Sequence, residues 1–118
     1  MKISEIQTLL DAKVHCGQDK LDMDVSSAFG SDMMSDVLAF VTDQAVLLTG
    51  LLNLQTVRTA IMMDMNCIIF VRGKMPDQNT IALGEQNGMV LMTTDERMYS
   101  ACGKLYMNGL RPESESEQ

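Results

Sequence analysis

Nine residues of this chain combine polar chemistry with the positions where an α/β fold gathers ligands. Ser31 and Asp32 follow one apolar segment, and Thr49, Gly50 and Asn53 follow a second. Arg72 and Gly73 (with Lys74 beside them) follow a third, and Thr93 and Thr94 end a fourth. In parallel sheets, strand C-termini meet helix N-termini, and ligands collect in that crevice. Helix N-termini with an Arg nearby offer an anion site, so the chemistry to expect is binding of a nucleotide-like or other anionic metabolite. Ser, Asp, Asn and Thr are also the residues that cap helices, which leaves each of them a structural role. Capping does not explain Arg72, although a surface ion pair would.

Motifs of catalysis are absent from the sequence. Neither G-x-x-x-x-G-K-[ST] nor G-x-G-x-x-G occurs, so neither common phosphate cradle is expected. Gly103-Lys104 falls inside a helical segment. His15 is the single His and adjoins Cys16. Consecutive strand residues face opposite sides of a sheet, so a Cys–His dyad is not expected. Asp32 and Asp36 lie four apart and could share a helix face, where they read as surface acids. No cluster has metal-ligand spacing. The expectation is therefore no catalytic residue, no metal and no cofactor.

Composition narrows the partners. The net charge is −7, from 16 acids against nine Lys and Arg. Glu113, Glu115 and Glu117 lie in the last seven residues, so the segment to Arg111 keeps 13 acids against nine bases. Without a basic stripe, neither nucleic acid nor an anionic membrane surface is an expected partner. Cys16, Cys67 and Cys102 are odd in number and unpaired in spacing, which points to reduced thiols and a cytoplasmic protein. No apolar run approaches the roughly 20 residues of a membrane span. Twelve Met and no Trp imply a core filled by adaptable Met side chains, or a Met-rich dimer surface.

The elements that position these residues are legible along most of the chain. Ser4-Glu5-Ile6-Gln7 has the form of a capping box opening a helix with Ile6, Leu9 and Leu10 on its apolar face. Val14 and Cys16 suggest a brief strand ended by Gly17, and 18–27 is the least legible stretch. Val25–Phe29 reads as a strand, with Ser31 or Asp32 capping a helix whose apolar face is Met33, Met34, Val37, Leu38 and Val41. Ala45–Thr49 is a strand, and Asn53 caps a helix burying Leu54, Val57, Ile61 and Met65. Cys67–Val71 is a further strand. Pro76 suits the first turn of the next helix, and Gly88 its left-handed end. Met89–Thr93 is the last strand. Thr94 then caps a helix with Asp95 and Glu96 in its first turn, with Met98, Ala101, Cys102, Leu105 and Tyr106 inward and Gly109 at its close.

Strand and helix alternate at an interval of about 22 residues, and the strands are apolar throughout. Strands of that kind are covered on both faces, as in parallel sheets with right-handed crossovers. The fold class expected is α/β, a largely parallel sheet of about four to five strands flanked by helices. Residues 1–111 form one domain in this reading, and the acidic segment 112–118 is a solvated, disordered tail.

Several short segments in order resemble DRTGG-domain proteins. They are Gly30-Ser31-Asp32-Met33-Met34-Ser35-Asp36-Val37-Leu38, Leu47-Leu48-Thr49-Gly50, Thr56-Val57-Arg58-Thr59-Ala60, Phe70-Val71-Arg72-Gly73-Lys74 with Pro76, and Ala101-Cys102-Gly103-Lys104-Leu105-Tyr106. The eponymous string itself is not present, its nearest equivalents being Asp43-Gln44 and Thr49-Gly50-Leu51. The resemblance implies a fold similar to the N-terminal domain of HPr kinase, without the kinase domain. Related domains accompany CBS domains in certain pyrophosphatases and occur in some phosphotransacetylases, as regulatory or dimer-forming modules. Free-standing members have no defined function, some being associated with hydrogenase or anti-sigma-type signalling genes. The resemblance thus leads us to expect a non-catalytic regulatory or protein-interaction module, homodimeric, with a protein partner in such a system. A sensor of an anionic metabolite is the alternative, and a small enzyme a remote one.

Overall fold

The computed structural model describes residues 1–41 and 45–112. The Asp43-Gln44 equivalent and the tail from Glu113 onward lie outside the described residues. Five strands form one sheet in the order β1-β5-β4-β3-β2. They are β1 (Lys13–Cys16), β2 (Ser27–Gly30), β3 (Ala45–Thr49), β4 (Cys67–Phe70) and β5 (Val90–Thr93). β2 to β5 are mutually parallel, and β1 runs antiparallel on the outer edge of β5. The helices are α1 (Ile3–Leu10), α2 (Met34–Phe40), α3 (Leu54–Met62), α4 (Gln78–Gln86) and α5 (Met98–Met107). This is the α/β fold with a largely parallel sheet that the apolar strands require.

The core is split by the sheet into two layers. On one side, Ile3, Ile6 and Leu10 of α1 and Ala101 and Leu105 of α5 pack against Val46, Leu48, Ile69, Val90 and Met92. On the other, Val37 of α2 and Val57 and Ala60 of α3 pack with Leu47, Ile68, Phe70 and Leu91, with Ile81 and Leu83 of α4 against them. Every residue of β3, β4 and β5 is buried, which is why these strands lack alternation. Each fully buried Leu, Ile or Phe contributes about 1.5–3 kcal/mol of apolar transfer. Met65, Met89 and Met92 are core residues.

Several local expectations are corrected. Helix α1 starts earlier than a Ser4 cap would place it: Lys2 is the N-cap, and Glu5 reaches back to the Lys2 N–H. The reason lies in tertiary pairing, because Ile3 and Ser4 donate their N–H groups to Met23 and Leu21 of the least legible stretch. That stretch holds a 3-10 turn at Gln18–Lys20. Strand β2 is Ser27–Gly30, shifted from Val25–Phe29, and α2 has Met33 at its N-cap position with no side-chain cap. Asp32 precedes α2, so it does not share a helix face with Asp36. Met33 and Leu38 are exposed, and Val37 is the buried residue of α2. Tyr106 is likewise exposed, its ring stacked 4.0 Å from the Arg111 guanidinium.

Pro76 is buried just before α4, whose N-cap is Asp77, accepting from the Thr80 N–H at 2.8 Å. Arg97, not Thr94, stands at the N-cap of α5, so Asp95 and Glu96 precede the helix. Asn53 does cap α3, and Gly88, at φ 69°, follows the end of α4 as a left-handed residue. In β1 the register slips between Val14 and Cys16. Such a bulge breaks strict alternation: Val14 packs in the α1/α5 layer, whereas Cys16 packs in the other. Among the described residues no helix is long and apolar enough to cross a membrane.

Candidate functional site

The parallel strands end in register. Thr49, Phe70 and Thr93 are paired across β3, β4 and β5, and Gly30 pairs with Leu48. Their turns therefore lie side by side along one rim of the sheet. Helices α2 to α4 lie on one face and α5 on the other, so the chain leaves β4 and β5 toward opposite sides. That divergence is where an open α/β sheet usually has its ligand crevice.

Here that crevice is zipped shut by backbone. Arg72 donates its N–H to Glu96 O at 2.8 Å, and Gly73 donates to Thr94 O at 2.8 Å. Val71 donates to Thr49 O at 3.0 Å, tying the same turn to its other neighbour. Arg72 and Gly73 both have positive φ, 66° and 67°, as the two central residues of a type I′ turn do. For Gly73 this conformation is free, but for Arg72 it costs about 1–2 kcal/mol. A strained non-glycine residue pinned on both sides is a frequent mark of a functional turn.

The strained turn aims the Arg72 side chain toward the β2–β3 end of the rim. Its guanidinium lies against Gly50, where an added Cβ would stand 2.9 Å from Cζ and 3.0 Å from Nε. Gly50 is bracketed on its other atoms too. Its N–H donates to Asp32 Oδ1 at 2.6 Å, and its carbonyl accepts from Lys74 Nζ at 3.2 Å. The Thr49 hydroxyl donates to the same Asp32 oxygen at 3.2 Å, while Asp32 Oδ2 is 3.9 Å from Arg72 Nη2. Both charged side chains are about half exposed, at 45% for Arg72 and 52% for Asp32, so this ion pair adds little stability.

Of the nine candidate residues, the structure brings together Asp32, Thr49, Gly50 and Arg72, while Gly73 pairs with the Thr94 backbone instead. The others have structural partners. Ser31 Oγ accepts from the Met33 N–H at 2.9 Å. Asn53 Oδ1 accepts from the Thr56 N–H at 2.9 Å. The Thr93 hydroxyl meets His15 Nε2 at 2.9 Å. The buried Thr94 hydroxyl donates to Leu10 O at the end of α1 at 2.7 Å and accepts from the Glu96 N–H at 3.3 Å. Lys74 belongs with the cluster although its spacing alone does not select it. Only the closeness of the two turns reveals its reach to Gly50.

The neighbouring cleft, about 350 Å³ and lined by Leu10, Asp11, Thr94, Asp95, Glu96 and Arg97 among others, has more acids than bases. Glu96 there pairs with Lys104 at 2.7 Å. Anions are not suited to it. Among the described residues no group of His, Cys, Asp and Glu could hold a metal ion. Burial pushes the Cys16 and Cys67 thiols up, away from the thiolate a nucleophile requires. Burial also lowers His15, with the Lys13 charge adding to it.

No family model matches the sequence, and no curated protein does. Among solved structures, the chain is similar to the CBS and DRTGG domains of the regulatory region of Clostridium perfringens pyrophosphatase, complexed with its activator, diadenosine tetraphosphate. The TM-score is 0.75 at 15% identity over 88% of this chain. The match spans 45% of that solved chain, less than half its length. At that identity the likeness concerns the fold, and the five-stranded sheet with its two helical layers is accordingly a DRTGG-like α/β fold.

Proposed function

We propose that this chain is a non-catalytic regulatory module that senses a phosphate-bearing, nucleotide-like metabolite at the rim formed by Asp32, Thr49, Gly50, Arg72 and Lys74. The observation that carries the reading is Arg72, a cation held in a strained left-handed turn and laid against a glycine that leaves room for nothing larger. A salt bridge for stability alone would not require that strain, since exposed pairs contribute little. The similar fold from the pyrophosphatase is a regulatory region solved with a nucleotide activator, which supports a regulatory role over a catalytic one.

The test is a thermal-shift series with ATP, ADP, diadenosine tetraphosphate and pyrophosphate. A ligand at a hundredfold excess over its Kd stabilises the native state by about 2.7 kcal/mol, and Arg72→Ala should abolish the shift. No shift with any of these anions, or one that Arg72→Ala leaves intact, removes the site.

A second reading is supported by exposed apolar side chains. Leu38 and Phe40 on α2, Met33 before it and Met62 at the end of neighbouring α3 are 49–70% exposed, large apolar side chains that a partner surface would cover. In this reading the module is a homodimer that passes its state to a protein partner of a signalling or hydrogenase-related system. Light scattering across a concentration series should report a dimer, and Phe40→Asp should give a monomer. A monomer at every concentration counts against it.

A further inference from the structure

The donors of the proposed anion site are already engaged by an anion belonging to the protein. Asp32 Oδ1 accepts from the Gly50 N–H at 2.6 Å and from the Thr49 hydroxyl at 3.2 Å. Its second oxygen faces the Arg72 guanidinium at 3.9 Å. A backbone N–H, a hydroxyl and a guanidinium converging on one carboxylate form the donor set that recognises a phosphate oxygen. From this we infer that Asp32 is a built-in competitor: its carboxylate holds the ligand-free state, and a phosphate group binds by displacing it. The inference rests on the functional reading above and adds to it how the site is regulated.

Two features make the displacement feasible. The Asp32 side chain is half exposed, so it can swing into water with little loss of solvation. The segment that carries it is also lightly anchored, because α2 has no side-chain cap and buries Val37 alone within its length. Leaving the carboxylate in place would set it beside the phosphate charge, a repulsion that binding must remove. Release of Asp32 loosens the turn that leads into α2, which carries occupancy of the rim to the helix bearing the exposed Leu38 and Phe40 side chains. Sensing and output thereby share one short segment.

The test titrates pyrophosphate calorimetrically into the full chain and into Asp32→Asn and Asp32→Ala. Circular dichroism melts first establish that both variants are folded. Asn keeps an acceptor for the Gly50 N–H but removes the competing charge. The expected result is pyrophosphate affinity about tenfold tighter in Asp32→Asn than in the wild type, because the ligand no longer has to displace a charged acceptor from the donors it needs. Asp32→Ala should be tighter than the wild type as well. Hydrogen exchange of residues 33–40 should quicken when wild-type protein binds pyrophosphate. Wild-type binding that is unchanged or weakened in both variants overturns the competitor role, an outcome in which Asp32 contacts the ligand directly, and it leaves the site standing. Failure of wild type and variants alike to bind pyrophosphate, with no response to the nucleotides either, overturns the site and the competitor role together.

Discussion

The guanidinium of Arg72 rests on the Cα of Gly50, with no space between them for a methyl group. The two residues lie in turns that follow neighbouring parallel strands, and the contact depends on the left-handed conformation of Arg72. The atoms a Cβ would meet belong to the far end of a flexible side chain. Gly50→Ala should therefore fold and melt close to the wild type while displacing the guanidinium. Loss of the anion-induced thermal shift with a nearly unchanged melting temperature is the expected result. A large loss of stability would mean that Gly50 serves the backbone instead.

Arg72 itself should trade stability against binding. Relieving its left-handed conformation returns about 1–2 kcal/mol, and the extra freedom of glycine in the unfolded chain takes back about 0.5–1 kcal/mol. Chemical denaturation of Arg72→Gly should thus give between no change and a gain of about 1.5 kcal/mol, with the anion response gone. A variant less stable than the wild type would show that the guanidinium has a structural task.

Asn53 and Thr94 should behave in the opposite manner. Asn53 caps α3, and its replacement by Ala should cost about 1 kcal/mol. Thr94→Val would leave the buried Leu10 carbonyl without its donor, at a cost of about 1–3 kcal/mol. Both should retain the full ligand-induced shift under conditions where they are folded. If either loses it, the rim extends further than Lys74.

His15 should give stability a dependence on mildly acid pH. Burial, and then the Lys13 charge, hold its folded pKa below the ordinary 6.5. Protonation consequently favours the unfolded chain. The contribution of neutral His15 is complete above pH 6.5, and it is lost as pH falls through the lowered value of the folded protein. Denaturant midpoints between about pH 7.5 and 5 should fall less steeply for His15→Gln, which keeps a partner for Thr93. Identical slopes for the two proteins would exclude His15 as the source.

Strand content was legible wherever burial acts on both faces, because an unbroken apolar run such as Ala45–Thr49 has one stable environment, the middle of a covered sheet. Asn53 was equally readable, since a cap acts within one helical turn. Local grammar failed where a distant segment competes for the same group. Ser4 lost its capping role because 21–25 pairs with the start of α1. Thr94 lost its own because Leu10, 84 positions away, accepts from its hydroxyl.

The candidate site divides in the same way. Sequence by itself determined the α/β class, the acidic balance and the residues that stand at strand ends, since these follow from composition and from periodicity along the chain. Tertiary structure decided which of those residues meet. Asp32, Gly50 and the turn bearing Arg72 and Lys74 are far apart in the chain and come together because three parallel strands end in register. The antiparallel placement of β1, the closed crevice between β4 and β5 and the aim of Arg72 depend likewise on pairing between remote segments. Hydrogen bonds across turns and the positive φ of one residue carry no local signature, so only the assembled sheet could reveal them.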